Sequence, residues 1–150
     1  MANQSLFHEY MSRYNEHHQN LTNVLMHCVA VPLIYASVLG LLWALFSYLA
    51  MPFNLTWCVV AAVMFYYLTL SAVHAAIMIV FSGLVMAVII WLESQQYSLI
   101  SVSMWTFFSM WVVQFIGHKI EGKKPSFFED LRFLLIGPLW WADHFVKRFR

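Results

Sequence analysis

The sequence predicts an all-α integral membrane protein with four transmembrane helices, an N-terminal interfacial helix and a C-terminal re-entrant or interfacial helix. Three observations carry that expectation. Hydrophobic residues make up 62% of the 150 positions and charged residues 10%, far from the balance of a soluble domain. Apolar stretches long enough to cross a hydrocarbon core of about 30 Å recur between short polar turns. All eight cationic residues fall on the side of those stretches that carries the two chain ends, and the opposite turns hold none.

Residues 1–150 form a single membrane domain in this reading, opened by an interfacial segment, 1–26. Between Ser5 and Asn20, Phe7, Tyr10, Met11 and Tyr14 recur at three- and four-residue spacing with Glu9, Arg13 and Glu16 between them, the pattern of an amphipathic helix lying on a membrane surface. The segment has no apolar core ahead of a cleavage site, so a cleavable signal peptide is not expected. The first span covers about 28–49, with Pro32 in its first turns, where a missing N–H costs least.

After the turn Met51-Pro52-Phe53-Asn54, the apolar block from Leu55 to Leu92 would measure about 57 Å as one helix, nearly twice what a bilayer needs. Its least apolar point, Thr69 to His74, is the expected reversal, giving spans of about 55–71 and 74–92. Glu93 to Ser98 is the next turn and 99–117 the fourth span, with Gly117 read as the helix end and Pro125 blocking continuation. The remainder, 126–150, begins with Glu129 and Asp130 and ends with Lys147, Arg148 and Arg150, the charge order a helix dipole prefers. Gly137 and Pro138 interrupt its short apolar centre, which suggests a kinked re-entrant or interfacial helix, with Trp140 and Trp141 in an aromatic belt.

By the positive-inside rule the terminal side is cytoplasmic, and the compact loops suit a bacterial inner membrane, with endoplasmic reticulum as the alternative. A net charge of +1 offers no case for nucleic-acid binding. Cys28 and Cys58 lie in apolar runs without CxxC spacing and read as buried small apolar groups rather than a disulfide. Asn54-Leu55-Thr56 matches a glycosylation acceptor but lies too near the membrane to carry weight. Nothing in the sequence sets an oligomeric state.

The topology gathers histidines. His17 and His18 precede the first span, His27 opens it, His74 opens the third and His118 closes the fourth, so residues scattered along the chain form one layer at one membrane face. Glu16 and Glu121 belong to the same layer. Ionisable groups at membrane depth need partners, and several imidazoles with a carboxylate are mutual partners through a metal ion. Nitrogen with carboxylate oxygen suits zinc or non-haem iron(II), and the lack of usable thiolates lowers the case for structural zinc. The H-x-x-x-H and H-x-x-H-H boxes of membrane di-iron desaturases are absent, which leaves a single metal or none. His18 and His27 would face opposite ways on one unbroken helix, so sharing an ion requires a break near Asn20. Lys119, Lys123 and Lys124 read first as a topology anchor, Asp143 and His144 as cap positions, and His8 as surface.

E-H-H-Q-N-L-T-N-V-L-M-H before the first span, Q-F-I-G-H-K-I-E-G-K-K-P-S at the end of the fourth and the later L-L-I-G-P-L together resemble a small multispan membrane family of Fe(II)-dependent 2-hydroxy fatty acid dioxygenases, the one that includes the yeast dioxygenase of phytosphingosine breakdown. The resemblance runs in order along nearly the whole chain. It implies a membrane enzyme that uses Fe(II), with O2 as co-substrate, to oxidise a 2-hydroxy fatty acid to the fatty acid one carbon shorter. It also implies metal ligation by His18, His27 and His118, while Asn23, Glu121 and Pro125 match neighbouring motif positions. Asn23 and Glu121 are thereby candidate catalytic residues, Glu121 either as a ligand or as the carboxylate that orients one. His74 enters the ligand set through the topology alone.

The acyl tail would lie between the spans, so the partners implied are the bilayer and the 2-hydroxy fatty acid. Two other readings stay open. One is a non-catalytic membrane protein, either a metal or proton carrier or an assembly subunit. The other is a Zn(II)-dependent membrane hydrolase built on the same ligands.

Overall fold

A computed structural model describes the backbone of residues 2–50, 53–124 and 132–148. The described residues are all-helical, as the composition predicts: α1 (Ala2–Glu16), α2 (Leu21–Tyr48), α3 (Thr56–Leu70), α4 (Ala72–Ser94), α5 (Leu99–Glu121) and α6 (Phe133–Arg148). Three of them, α2, α4 and α5, are long and apolar enough to cross a membrane. The fourth expected span, α3, is apolar but has 15 residues, about 22 Å of helix, and does not reach that length alone.

The frame is the pairing of α2 with α5. His27 meets His118 at one end, and at the other Gly40 faces Ser103 so closely that a Cβ on the glycine would collide with the serine hydroxyl. Residue numbers rise along α2 as they fall along α5, so the two run antiparallel. In lipid no hydrophobic force drives helices together, and close approach at small residues such as Gly40 and Ser103 supplies the packing instead. A single residue reverses the chain between α3 and α4. Ser71, extended at φ −160°, lies between α3 and α4, within the expected Thr69 to His74 stretch. At the far end Asn54 replaces any glycosylation role with a structural one: its amide donates to the Trp43 carbonyl and the Ser47 hydroxyl, and its oxygen accepts from the Thr56 N–H.

Several expectations are corrected. The fourth span does not end at Gly117. α5 runs on to Glu121 and stops at Gly122, whose φ of 75° is the left-handed conformation a helix C-cap requires. Gly117 lies inside the helix, where a Cβ would strike the Asn23 side chain and stand 3.4 Å from His27 Cε1, so its smallness serves close approach rather than termination. The apolar stripe of α1 is directed into the protein: Phe7, Tyr10, Met11 and Tyr14 are all buried, and Tyr10 and Tyr14 pack on Phe133 of α6. α6 is a continuous helix through Gly137 and Pro138, held by the Tyr67 hydroxyl donating to the Leu135 carbonyl at 2.6 Å and by Phe81 against Trp141. Trp140 is fully buried, which removes it from an aromatic belt. The cysteines are not the buried groups expected: Cys28 is half-buried on α2 and Cys58 is exposed on α3. The expected roles of Pro52, Pro125, Glu129, Asp130 and Arg150 lie outside the described residues.

Two glycine substitutions separate these backbone arguments. Gly122→Ala is expected to cost about 1 kcal/mol, because alanine is strained at positive φ. Gly83→Ala, in open space within α4, should instead stabilise by up to about 1 kcal/mol, because alanine is the better helix former. Thermal unfolding of the two variants in detergent measures the difference.

Candidate metal centre

The chain breaks where a shared ion would require it to. α1 ends at Glu16, residues 17–20 cross over, and α2 starts at Leu21 with Asn20 as its N-cap, the Asn20 side chain accepting from the Thr22 N–H at 2.9 Å. The change of direction brings His18 round to face His27.

The last turn of α5 clamps this crossover. Glu121 accepts from the backbone N–H of Gln19 and of Asn20, both at 2.9 Å, and from the Asn23 amide at 3.0 Å. These amides are ones that no helix satisfies, and a carboxylate at the start of α2 also suits its dipole. Lys123 donates to the Glu16 carbonyl at 2.6 Å, closing the end of α1, and His17 Nδ1–H reaches the Lys124 carbonyl at 3.1 Å. Asn23, with no exposed surface, also donates to the His17 carbonyl at 3.3 Å.

Inside the clamp lie three buried imidazoles. Nitrogens of His18, His27 and His118 all fall within 4.8 Å of one another. His18 Nδ1 sits 2.7 Å from the Tyr14 carbonyl, and His27 Nδ1 sits 3.0 Å from the Asn23 carbonyl. A carbonyl only accepts, so in each ring Nδ1 carries the proton and the Nε2 lone pair is free. His27 Nε2 faces His118 Nε2 at 3.1 Å, and His18 Nε2 is buried without a hydrogen-bond partner among the described residues.

Lone pairs converging in a buried space repel unless a proton or a cation lies between them. Two nitrogens about 2.0–2.1 Å from one metal ion at adjacent coordination positions stand roughly 3.0–3.4 Å apart, which 3.1 Å matches. The three residues therefore fit a metal ion on geometry and on donor chemistry.

Ring packing fixes His18 further. Tyr14 stacks on it at 4.4 Å with planes 6° apart, and Trp140 packs at 5.0 Å while its indole N–H donates to Asn15 at 2.7 Å. Burial, reinforced by the neighbouring His27 ring, drives the His18 pKa down to about 3, so the ring is neutral and ready to ligate at physiological pH. Burial pushes the Tyr14 phenol well above its ordinary value, which keeps its O–H a donor.

The other residues singled out in the sequence divide clearly. Glu121 and Asn23 adjoin the three histidines but touch the crossover rather than converge with the ring nitrogens. His74 is in the same end of the bundle yet in another cluster. Its Nδ1 bonds the Ser71 hydroxyl at 2.6 Å, and its Nε2 faces Asp143 at 3.3 Å. Asp143 is not an exposed cap: it is buried within α6 and also paired with Lys147. Burial opposes its ionisation, but the contacts with His74 and Lys147 outweigh that and hold its pKa below the usual carboxylate value. Tyr14, Asn15 and Trp140 were not marked as site residues in the sequence. Tyr14 and Trp140 read only as an apolar face and a belt.

An apolar cavity of about 340 Å³ opens beneath the histidines. Val31, four residues after His27, and Gln114, four residues before His118, both line it, so it begins one helical turn below the cluster. Most of its remaining wall is aliphatic and aromatic, from α2, α3, α5 and α6.

A family model described as 2-hydroxy-palmitic acid dioxygenase Mpo1-like matches residues 4–149. No curated protein matches the chain at a significant level, and neither does any solved structure.

Elemental analysis of the purified protein tests the geometry directly. One metal ion per chain is expected, lost in His18→Ala, His27→Ala or His118→Ala and retained in His74→Ala, whose ring lies in the other cluster. Glu121→Gln should retain the ion but weaken its binding by about 10- to 100-fold in competition with a chelator, as loss of an orienting carboxylate does elsewhere.

Proposed function

The chain belongs to the Mpo1-like family, and from that premise we propose that it is a membrane Fe(II)-dependent dioxygenase that oxidises 2-hydroxy fatty acids with O2 to the fatty acid one carbon shorter. The observation that carries the reading is the convergence of three buried imidazole nitrogens at the head of an apolar cavity. A polar head and a long apolar tail are the two halves of a fatty acid, and the site offers one environment for each.

His18, His27 and His118 would hold the iron, which when bound supplies the activation of dioxygen. The protein's own residues do the rest. Three neutral nitrogens do not reduce the charge of a divalent ion, so the site favours an anionic head over a neutral one. The Tyr14 and Asn23 carbonyls hold two of the rings in the tautomer that can ligate. Glu121 is a positioning residue, fixing the crossover on which His18 depends. The cavity walls exclude water from the tail and restrict where C1 and C2 of the acid can stand.

The membrane placement follows the same logic. α2 leads from the histidine end to the far end and α4 again runs to the far end from His74, which supports α3 as a return between them and so, with three helices long enough to cross, a fourth and shorter crossing. Arg13, Lys119, Lys123, Lys124, Arg132 and Lys147 all lie toward the histidine end, which by the positive-inside rule would be the cytoplasmic side, and the compact loops suit a bacterial inner membrane, with endoplasmic reticulum as the alternative.

Oxygen uptake by the detergent-purified protein with a 2-hydroxy fatty acid is the decisive measurement. Uptake should require the 2-hydroxyl, yield an acid one carbon shorter, vanish on chelation and return with Fe(II) but not Zn(II). Acyl turnover without oxygen consumption would instead assign a zinc hydrolase to the same ligands, and stoichiometric metal with no turnover would favour a carrier.

A further inference from the structure

We propose that Gln114 and Tyr14 together form the recognition site for the carboxylate of the acyl ligand, at the top of the apolar cavity. The inference rests on the reading of that cavity as the acyl site.

The starting point is a polar group that has no structural reason to be where it is. Gln114 lies within a membrane-spanning helix and is 8% exposed, in a position where an unpartnered amide costs several kcal/mol. Such groups are almost always bonded to something. Four of the side chains that line the cavity and carry polar groups are Tyr14, Tyr35, Tyr67 and Gln114. The Tyr67 hydroxyl is taken by the Leu135 carbonyl and the Tyr35 hydroxyl by Ser82 at 2.7 Å. Trp111 also lines it and has its own interaction. Gln114 and the Tyr14 hydroxyl make no hydrogen bond among the described residues.

Register places the two groups at one level. The antiparallel pairing that sets His27 against His118 sets Val31 against Gln114, one turn further in. The Tyr14 hydroxyl belongs to the same layer: a Cβ on Gly137 would stand 3.2 Å from it and 3.7 Å from Val31. Both groups therefore border the upper end of the cavity, just beneath the ring nitrogens.

Their chemistry selects the ligand. A phenol O–H and an amide NH2 are donors on residues that line one cavity, and a carboxylate is an acceptor-only group with two oxygens. The Gln114 carbonyl remains to accept from a hydroxyl on the adjacent carbon. Neither residue carries a charge, so an empty site is stable without a counter-ion, and a bound acid finds donors where the surrounding wall has none. Gly137 is required for the hydroxyl to stand there, because a side chain at that position would crowd it.

Ligand binding to the protein with its metal in place tests the assignment, using a saturated long-chain fatty acid without a 2-hydroxyl, so that nothing turns over, and its methyl ester. The variants are Gln114→Leu and Tyr14→Phe, the second of which keeps the ring that stacks on His18. Each should weaken the acid by about ten-fold while leaving the ester affinity and the metal content unchanged. A merely structural role would move acid and ester together or lower the metal content, and either result overturns the proposal, as does an unchanged acid affinity. Wild-type protein that binds neither ligand removes this site and the acyl reading of the cavity at once. Loss of acid preference in the variants of a protein that consumes no oxygen would support the carboxylate site while retiring the oxidase reading.

Discussion

Three imidazole lone pairs held toward one buried point are the constraint on which the rest of this structure depends. The arrangement is unfavourable unless something positive fills it, and two of the rings are fixed from outside: His18 and His27 by backbone carbonyls one turn back, and His18 also by the faces of Tyr14 and Trp140. His18 alone is not carried by a helix. It depends on the crossover, and the crossover depends on Glu121, Lys123 and Asn23. The charged residues at the end of α5 are thus best understood as a clasp that holds a loop histidine in place against the two helical ones.

The clasp also explains why the polar chemistry sits at one end of the bundle. A carboxylate accepting from two backbone amides and a side-chain amide is stable where water reaches it and costly at mid-depth. Neutral histidines need no such contact with water, and they lie deeper. The order from solvent inward is lysine and glutamate, then imidazole, then an uncharged amide and a phenol, then hydrocarbon. Charge is confined to the outermost layer and polarity falls inward from there, which is the gradient a chain in lipid must follow.

Much of this was legible in the sequence, and the failures have identifiable causes. Hydropathy sets the number of apolar segments and therefore which end of the bundle each histidine occupies, so His17, His18, His27, His74 and His118 group at one end on sequence alone, while the selection of His18, His27 and His118 comes from the family resemblance. Hydropathy carries no information on azimuth. His74 opens α4 at the correct end, but α4 presents it to Asp143 on α6, and only packing decides that. Gly117 and Gly122 show the same limit. A glycine near the end of an apolar run can be a stop or a point of close approach, and what distinguishes them is the partner surface, here Asn23. α1 and α6 were read as lying on the membrane because their patterns are amphipathic, yet an apolar face packs equally well on another helix, and these two cover each other.

The antiparallel pairing of α2 and α5 ties the depth of the cluster to the depth of the cavity. Because neighbouring residues on one helix face recur every three or four positions, the layer after His27 and His118 must be Val31 and Gln114, and no side chain can intervene between ligand and groove without shifting the register of both helices. Gly40 against Ser103 and Gly117 against Asn23 are close approaches at two levels of that pairing, where a larger residue would displace the facing side chain. A head group placed at the cluster therefore has its tail direction set by backbone geometry, independent of which apolar residues happen to form the wall. On the proposed acyl reading, selection among fatty acids would then fall to the far end of the cavity and to the single polar layer directly under the imidazoles.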